Sequence, residues 1–150
     1  MAKRFNIRVY GILVQNNSVL VSDEFIKGNR ITKLPGGGLE FGEGTRECLT
    51  REFKEELGLD VEVMDHFYTT DFYVSSSFDV NSQVISIYYL VEAIGKLSFN
   101  VSISAHNYEN KEGAQSIRWI SLPDLKDTDF TLIIDRRVGE LLMKKFASAK

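Results

Sequence analysis

A mixed α/β domain is expected from three observations on this 150-residue chain. Residues 45–57 and 132–146 each carry apolar side chains at helical spacing. β-rich runs stand before and after the first of these segments. The resulting order is strands, helix, strands, helix. That order predicts helices on both faces of a central sheet.

The elements follow in sequence. Residues 5–14 are β-rich, Gln15-Asn16-Asn17-Ser18 reads as a turn, and residues 19–21 form the returning strand. Residues 27–30 read as a polar loop, and residues 31–34 lead into Pro35-Gly36-Gly37-Gly38. Proline fixes φ there, and glycines allow close backbone approach to a ligand. Thr45 is the expected N-cap of the first helix and Gly58 its C′ residue. Leu49, Phe53 and Leu57 form its core-facing stripe. Residues 61–74 suggest a long, bent strand. Residues 84–93, with Ile87-Tyr88-Tyr89-Leu90-Val91 at their centre, are expected to be central in the sheet. Residues 96–104 alternate less cleanly, 106–113 form a polar loop, and 117–120 a short strand. Pro123-Asp124-Leu125 opens a helical turn, with Pro where no N–H is needed. The last helix is expected to pack through Ile133, Val138, Leu141, Leu142 and Phe146.

The first helix also carries Glu52, Glu55 and Glu56 at i, i+3, i+4 spacing, which places them on one face. Three carboxylates on so small a patch repel one another. A hard divalent cation removes that repulsion, and Mg²⁺ prefers oxygen ligands while keeping several waters. Glu43, just before the helix, can reach the same patch. Acidic helix faces are ordinarily solvated surfaces. Here the acids stand in fixed register with Gly37, Arg51 and Gly58, which favours a site.

The register of residues 37–59 is G-x5-E-x7-R-E-U-x-E-E-x-G-U, with U a bulky apolar residue, here Phe53 and Leu59. It resembles the Nudix box at every constrained position. A chance match is on the order of 10⁻⁹ per starting position at average residue usage. The likeness is strongest over the box and extends weakly to the flanking strands. It implies an α/β/α sandwich with a mixed central sheet, as a single domain over residues 1–150. It also implies hydrolysis of a nucleoside diphosphate linked to another group: water attacks one phosphorus of the pyrophosphate and the other phosphate leaves.

By the same resemblance, Glu52, Glu55 and Glu56 are expected metal ligands, with Glu52 doubling as base. Gly37 supplies backbone contact to metal and phosphates, and Glu43 supports or completes the set. The implied cofactor is Mg²⁺, with Mn²⁺ a possible substitute. Arg51 has two readings: helix-surface pairing with Glu47 and Glu55, or, by the resemblance, holding the catalytic glutamates. One interaction can serve both. Some family members use a glutamate in the loop before the last strand as base. Glu112 stands in such a loop, and an exposed loop acid is the equal alternative. Arg8, Arg30 and Lys33, on or beside strands that lead into the box, are candidate phosphate or sugar contacts.

Composition bounds the remainder. Hydrophobic residues make up 43% and charged residues 26%, with net charge −3, which fits a soluble globular domain. No strongly basic tract is present, which argues against a grip on long nucleic acid. No stretch is long enough to span a membrane, and the N-terminal residues lack the pattern of a signal peptide. Cys48 is the single cysteine. It is expected to pack rather than react, and a reducing, cytoplasmic setting follows. His66 and His106 show no ligand spacing for zinc. Phe72, Tyr73, Tyr88, Tyr89 and Trp119 can stack on a base but read more readily as packing.

The sequence therefore predicts a divalent-metal-dependent pyrophosphohydrolase of a nucleoside triphosphate or nucleoside-diphosphate derivative, acting as monomer or homodimer. By family analogy, the short segment before the first strand favours a small nucleotide over the ADP-sugar class. The alternative is a nucleotide sensor with the same fold and little turnover. An isoprenoid-diphosphate isomerase or an RNA cap hydrolase is disfavoured by size and by the lack of a basic surface.

Overall fold

The structure is a computed structural model that describes residues 2–147. Met1 and residues 148–150, included in the expected single domain, lie outside the described residues. The elements are β1 Arg4–Gln15, β2 Ser18–Ile26, β3 Asn29–Lys33, β4 Gly36–Gly38, α1 Thr45–Leu57, β5 Asp60–Thr69, β6 Ser82–Ile94 and β7 Gln115–Ser121. Two 3₁₀ turns, Leu122–Asp124 and Asp127–Asp129, precede α2 Ile133–Ala147. The chain divides into two compact units, Met1–Leu13 with Pro35–Phe99 and Val14–Leu34 with Asn100–Lys150.

The first unit holds a mixed sheet. β1 lies between β4, antiparallel, and β6, parallel from Arg4↔Ser82 to Leu13↔Val91. β5 flanks the other side of β6, antiparallel. The apolar run of β6 is thus central, as expected, and Tyr88, Tyr89 and Val91 are buried. β5 bends at two register shifts, between Val63 and His66 and between His66 and Tyr68. It stops at Thr69, five residues short of the expected end. Beyond it, Tyr68 Oη donates to Asp71 at 2.8 Å, and Val84 N–H donates to Val74 O. The strand-like composition of 70–74 thus serves a turn and a short return to β6.

α1 buries Cys48, Leu49, Phe53 and Leu57 and contacts β4 and β5. The expected stripe holds, and Gly58 ends the helix in the left-handed conformation at φ 61°. The N-cap is Gly44 rather than Thr45. Thr45 Oγ1 instead hydrogen-bonds the hydroxyl of Tyr89 at 2.7 Å. The Gly44 N–H is satisfied by Glu47 Oε1 at 3.0 Å.

The second unit is built on antiparallel pairing. The last two residues of β1 pair with β2 as Val14↔Val19 and Gln15↔Ser18. Asn16 and Asn17 form the hairpin turn at φ 49° and 60°, the primed geometry that suits two-residue loops. β2 lies between β3 and β7. Paired with β7 through Glu24 and with β3 through Ile26, it runs well past the expected Val21. The expected 27–30 loop shrinks to Lys27-Gly28, and Arg30 lies on β3, opposite Phe25.

Residues 96–114 contain no named strand, consistent with their weak alternation. α2 contacts the 3₁₀ turns and buries Ile134, Val138 and Leu142, with Phe130 in the same core. Val138 and Leu142 are buried as expected, Leu141 and Phe146 are half-buried, and Ile134 takes the buried place expected of Ile133, which is exposed. No helix among the described residues is long and apolar enough to cross a membrane.

Candidate active site

The first unit gathers Gly37, Glu43, Arg51, Glu52 and Glu55. β4 pairs Gly37 with Val9 and Gly36 with Tyr10. A Cβ added at Gly37 lies 2.5 Å from Glu52 Cδ and 2.6 Å from both carboxylate oxygens. The Glu52 carboxylate therefore rests directly on the Gly37 backbone. This close approach is what glycine permits there. Gly36 has φ +150°, and its Cβ position is 2.1 Å from Val9 O, so it too excludes a side chain.

Arg51 organises the acids. Its Nε and Nη2 donate to the two oxygens of Glu43, at 3.0 and 2.7 Å. Its Nη1 donates to Glu52 Oε1 at 3.0 Å and to Glu55 Oε2 at 3.2 Å. Its Nη2 also reaches Gly38 O at 3.1 Å, tying the helix to β4. Of its two expected surface partners it takes Glu55; Glu47 is used at the helix start instead. Bidentate guanidinium–carboxylate geometry is among the stronger polar contacts. These bonds from Arg51, helped by the Glu40 N–H, hold the Glu43 carboxyl down at about 2. Arg51 is in turn pushed up, above all by Glu43. Cys48 is buried beside this cluster, and burial first, then Glu43, pushes its thiol up to about 12. It is an inert packing residue at neutral pH.

Glu43, Glu52 and Glu55 carry three negative charges against one on Arg51. The excess is carboxylate oxygen, the donor chemistry that suits a hard divalent cation. Glu52 and Glu55 are turned onto Arg51, and no three His, Cys, Asp or Glu side chains among the described residues stand ready around an ion. Glu56 is exposed on the same helix.

Arg8 is half-buried on β1, opposite Gly38. Its Nη1 is 3.6 Å from the Cβ position of Gly38, and its Nε donates to Tyr10 Oη at 2.6 Å. Sequence reasoning missed Tyr10, although an Arg-x-Tyr spacing on a strand puts both side chains on one face.

The other predicted residues lie in the second unit, on contacts of their own. Both Glu112 oxygens accept the Lys27 N–H, at 2.7 and 2.9 Å. Lys33 is buried, with Nζ 3.1 Å from Glu24. Arg30 donates through Nε and Nη2 to Asn110 Oδ1.

The match that decides the family covers both units: the NUDIX domain model fits residues 4–140. This chain belongs to the Nudix family. The Nudix chain is 35% identical over 92 residues to an ADP-ribose pyrophosphatase of Methanocaldococcus jannaschii, covering 59% of this chain and 52% of the relative. It thus spans about half the length of that curated relative. Among solved structures, it matches a MutT protein from Methanosarcina mazei Go1 with TM-score 0.69 at 18% identity, covering 97% of each chain. It matches an ADP-ribose pyrophosphatase from Streptococcus suis with TM-score 0.61 at 21% identity, covering 93% of this chain and 90% of the other. These structural likenesses carry the α/β fold with its mixed sheet. Nudix hydrolases generally use divalent metals, which agrees with the carboxylate excess around Arg51.

Proposed function

We propose that this Nudix chain is a divalent-metal-dependent pyrophosphohydrolase. Its substrate is a nucleoside-diphosphate derivative, with ADP-ribose the first member to test. The observation that carries the reading is the Arg51-centred carboxylate cluster, with Glu52 seated on Gly37. The ADP-ribose pyrophosphatase relative supports the substrate class and moves the emphasis away from a nucleoside triphosphate. The single match over residues 4–140 supports reading residues 1–150 as one domain. The lone buried Cys48 supports a reducing, cytoplasmic setting.

Glu52, Glu55 and Glu56 are the proposed ligands of Mg²⁺, or of Mn²⁺ in its place. When bound, the ion supplies charge neutralisation on the phosphate oxygens and an acidified water. Arg51 keeps Glu52 and Glu55 on one side of the helix, and Glu43 braces Arg51 rather than binding the ion itself. Gly37 offers its backbone to the pyrophosphate without a side chain in the way. Arg8, beside Gly38, is the proposed phosphate contact. Water attacks one phosphorus, the bridging P–O bond breaks, and two phosphate monoesters leave. Glu52 takes the water proton.

The Lys27 contact supports Glu112 as a loop-holding acid rather than the base. Glu24 and Asn110 similarly account for Lys33 and Arg30. Glu52→Gln is expected to lower kcat by about 10² or more, the usual size of a general-base effect. Glu112→Gln still offers an acceptor to Lys27 and is expected to keep kcat within about threefold, since it leaves the proposed base untouched. A reversed pair of results moves the base to Glu112.

The reading itself is tested by incubating the protein with Mg²⁺ or Mn²⁺ and ADP-ribose, nucleotide sugars, dinucleoside polyphosphates, and canonical and oxidised nucleoside triphosphates. A Glu55→Gln, Glu56→Gln double variant and EDTA serve as controls. Turnover of ADP-ribose to AMP and ribose 5-phosphate, lost in both controls, is the expected result. Nucleotide binding without turnover of any compound overturns it in favour of a sensor.

A further inference from the structure

We propose that Tyr10 is a positioning residue that sets the Arg8 guanidinium for substrate phosphate. The inference rests on the pyrophosphohydrolase reading above. Arginine has several rotatable bonds, and an unrestrained side chain loses that freedom on binding a ligand. Here Nε donates to Tyr10 Oη at 2.6 Å, which restrains the guanidinium before substrate arrives. The Arg8 Cζ also lies 5.7 Å from the Tyr10 ring centroid, within reach of cation–π attraction. Its Nη1 lies 3.6 Å from the Cβ position of Gly38, the neighbour of Gly37 and its Glu52 contact.

The Tyr10 hydroxyl is held in place because its ring is buried and packed on both sides. Strand pairing sets Gly36, Tyr10, Tyr88 and Tyr68 in one row across β4, β1, β6 and β5. Ring centroids are 5.3 Å apart for Tyr10–Tyr88 and 6.3 Å for Tyr68–Tyr88. Tyr10 is 5% exposed and Tyr88 fully buried. At the other end of the row, the Cβ position of Gly36 is 2.8 Å from Tyr10 Cδ1. The row therefore has no space on either side of Tyr10. Its buried rings are too enclosed to stack on a nucleobase, so the exposed product of the row is the orientation of Arg8. A guanidinium held in one pose suits recognition of phosphate oxygens.

The test uses Tyr10→Phe, which keeps the ring and removes the hydroxyl. KM and kcat for ADP-ribose are measured in Mg²⁺, and Kd for ADP-ribose by calorimetry in Ca²⁺, for the wild type, Tyr10→Phe, Arg8→Ala and the double variant. A rise of about 3–10-fold in KM and Kd is expected for Tyr10→Phe, the usual size of one hydrogen bond's net contribution, with kcat within about twofold. The double variant should bind no worse than Arg8→Ala, because Tyr10 acts only through Arg8. Arg8→Lys, which leaves the tyrosine row whole, should lose affinity comparably. An unchanged KM and Kd in Tyr10→Phe, or effects that add in full, overturn the proposal. If the wild type binds ADP-ribose without turning it over, ADP-ribose is struck as the substrate, and the calorimetric series still decides the role of Tyr10. Absence of wild-type ADP-ribose binding strikes that substrate and overturns the role given to Tyr10.

Discussion

Gly37→Ala is expected to lower kcat by about 10² or more while leaving the melting temperature within a few degrees. The three atoms nearest the new Cβ all belong to the Glu52 carboxylate, at 2.5–2.6 Å. That carboxylate ends a flexible side chain, so the fold accommodates the methyl by moving it. A displacement of about 1 Å at a reacting group is enough for a 10²-fold loss. Gly36→Ala is the contrasting neighbour. Its Cβ meets Val9 O at 2.1 Å and Tyr10 Cα at 2.7 Å, and its φ is +150°. Backbone has nowhere to go, so destabilisation of about 2–5 kcal/mol is expected from overpacking plus strain. Urea unfolding and steady-state kinetics on the two variants separate the cases. Equal stability losses, or full activity in Gly37→Ala, sink the account of Glu52 seated on Gly37.

The second large effect is expected in the other unit. Asp23 has no exposed surface. It accepts Arg118 Nε at 2.6 Å, Thr32 Oγ1 at 2.6 Å and the His106 N–H at 3.2 Å. Asp23→Asn is expected to destabilise by about 3–5 kcal/mol, because it leaves Arg118 partly buried without its counter-charge. A loss below about 1 kcal/mol contradicts the role given to the pair.

The acid response follows from the same network. Burial alone raises the Asp23 carboxyl, but the Arg118, Thr32 and His106 donors outweigh it, and the net shift is below the ordinary 3.8. Asp23 therefore contributes stability that is complete above about pH 3.8 and is lost as pH falls through its lower folded value. His106 is lowered below 6.5, chiefly by burial, against the opposing pull of Asp23. Its stabilisation is complete above about pH 6.5 and declines as pH falls toward the folded value. Unfolding free energy measured by urea should thus drop in two windows. Asp23→Asn should shrink the lower one without abolishing it, because the Glu43 carboxyl, held down by Arg51, loses its stabilisation in the same acid range.

How much was legible depended on separation along the chain. α1 and its two faces were readable because a helix fixes i, i+3 and i+4 neighbours locally. The chain itself therefore presents Leu49, Phe53 and Leu57 to a core and Glu52 and Glu55 beside Arg51. The N-cap was misread because the Thr45 hydroxyl is claimed by Tyr89, 44 residues away. β2 is longer than its composition suggests because pairing with β7 through Glu24 and with β3 through Ile26 extends a segment of modest β-character. In α2 the spacing placed Val138 and Leu142 correctly, and only at the first turn does packing bury Ile134 in place of Ile133.

The Nudix family, the mixed α/β class and the acids that gather on Arg51 were legible in the sequence, because these reside in short-range periodicity and in one contiguous register. Tertiary structure alone decided that Glu43 braces Arg51 with both oxygens and that Glu52 lies on Gly37. It also decided that Tyr10 holds Arg8 and that Asp23 gathers donors from Thr32, His106 and Arg118. Those contacts form only when strand pairing and helix docking bring distant backbone together. Their distances, set by close packing, are beyond what spacing along a chain can express.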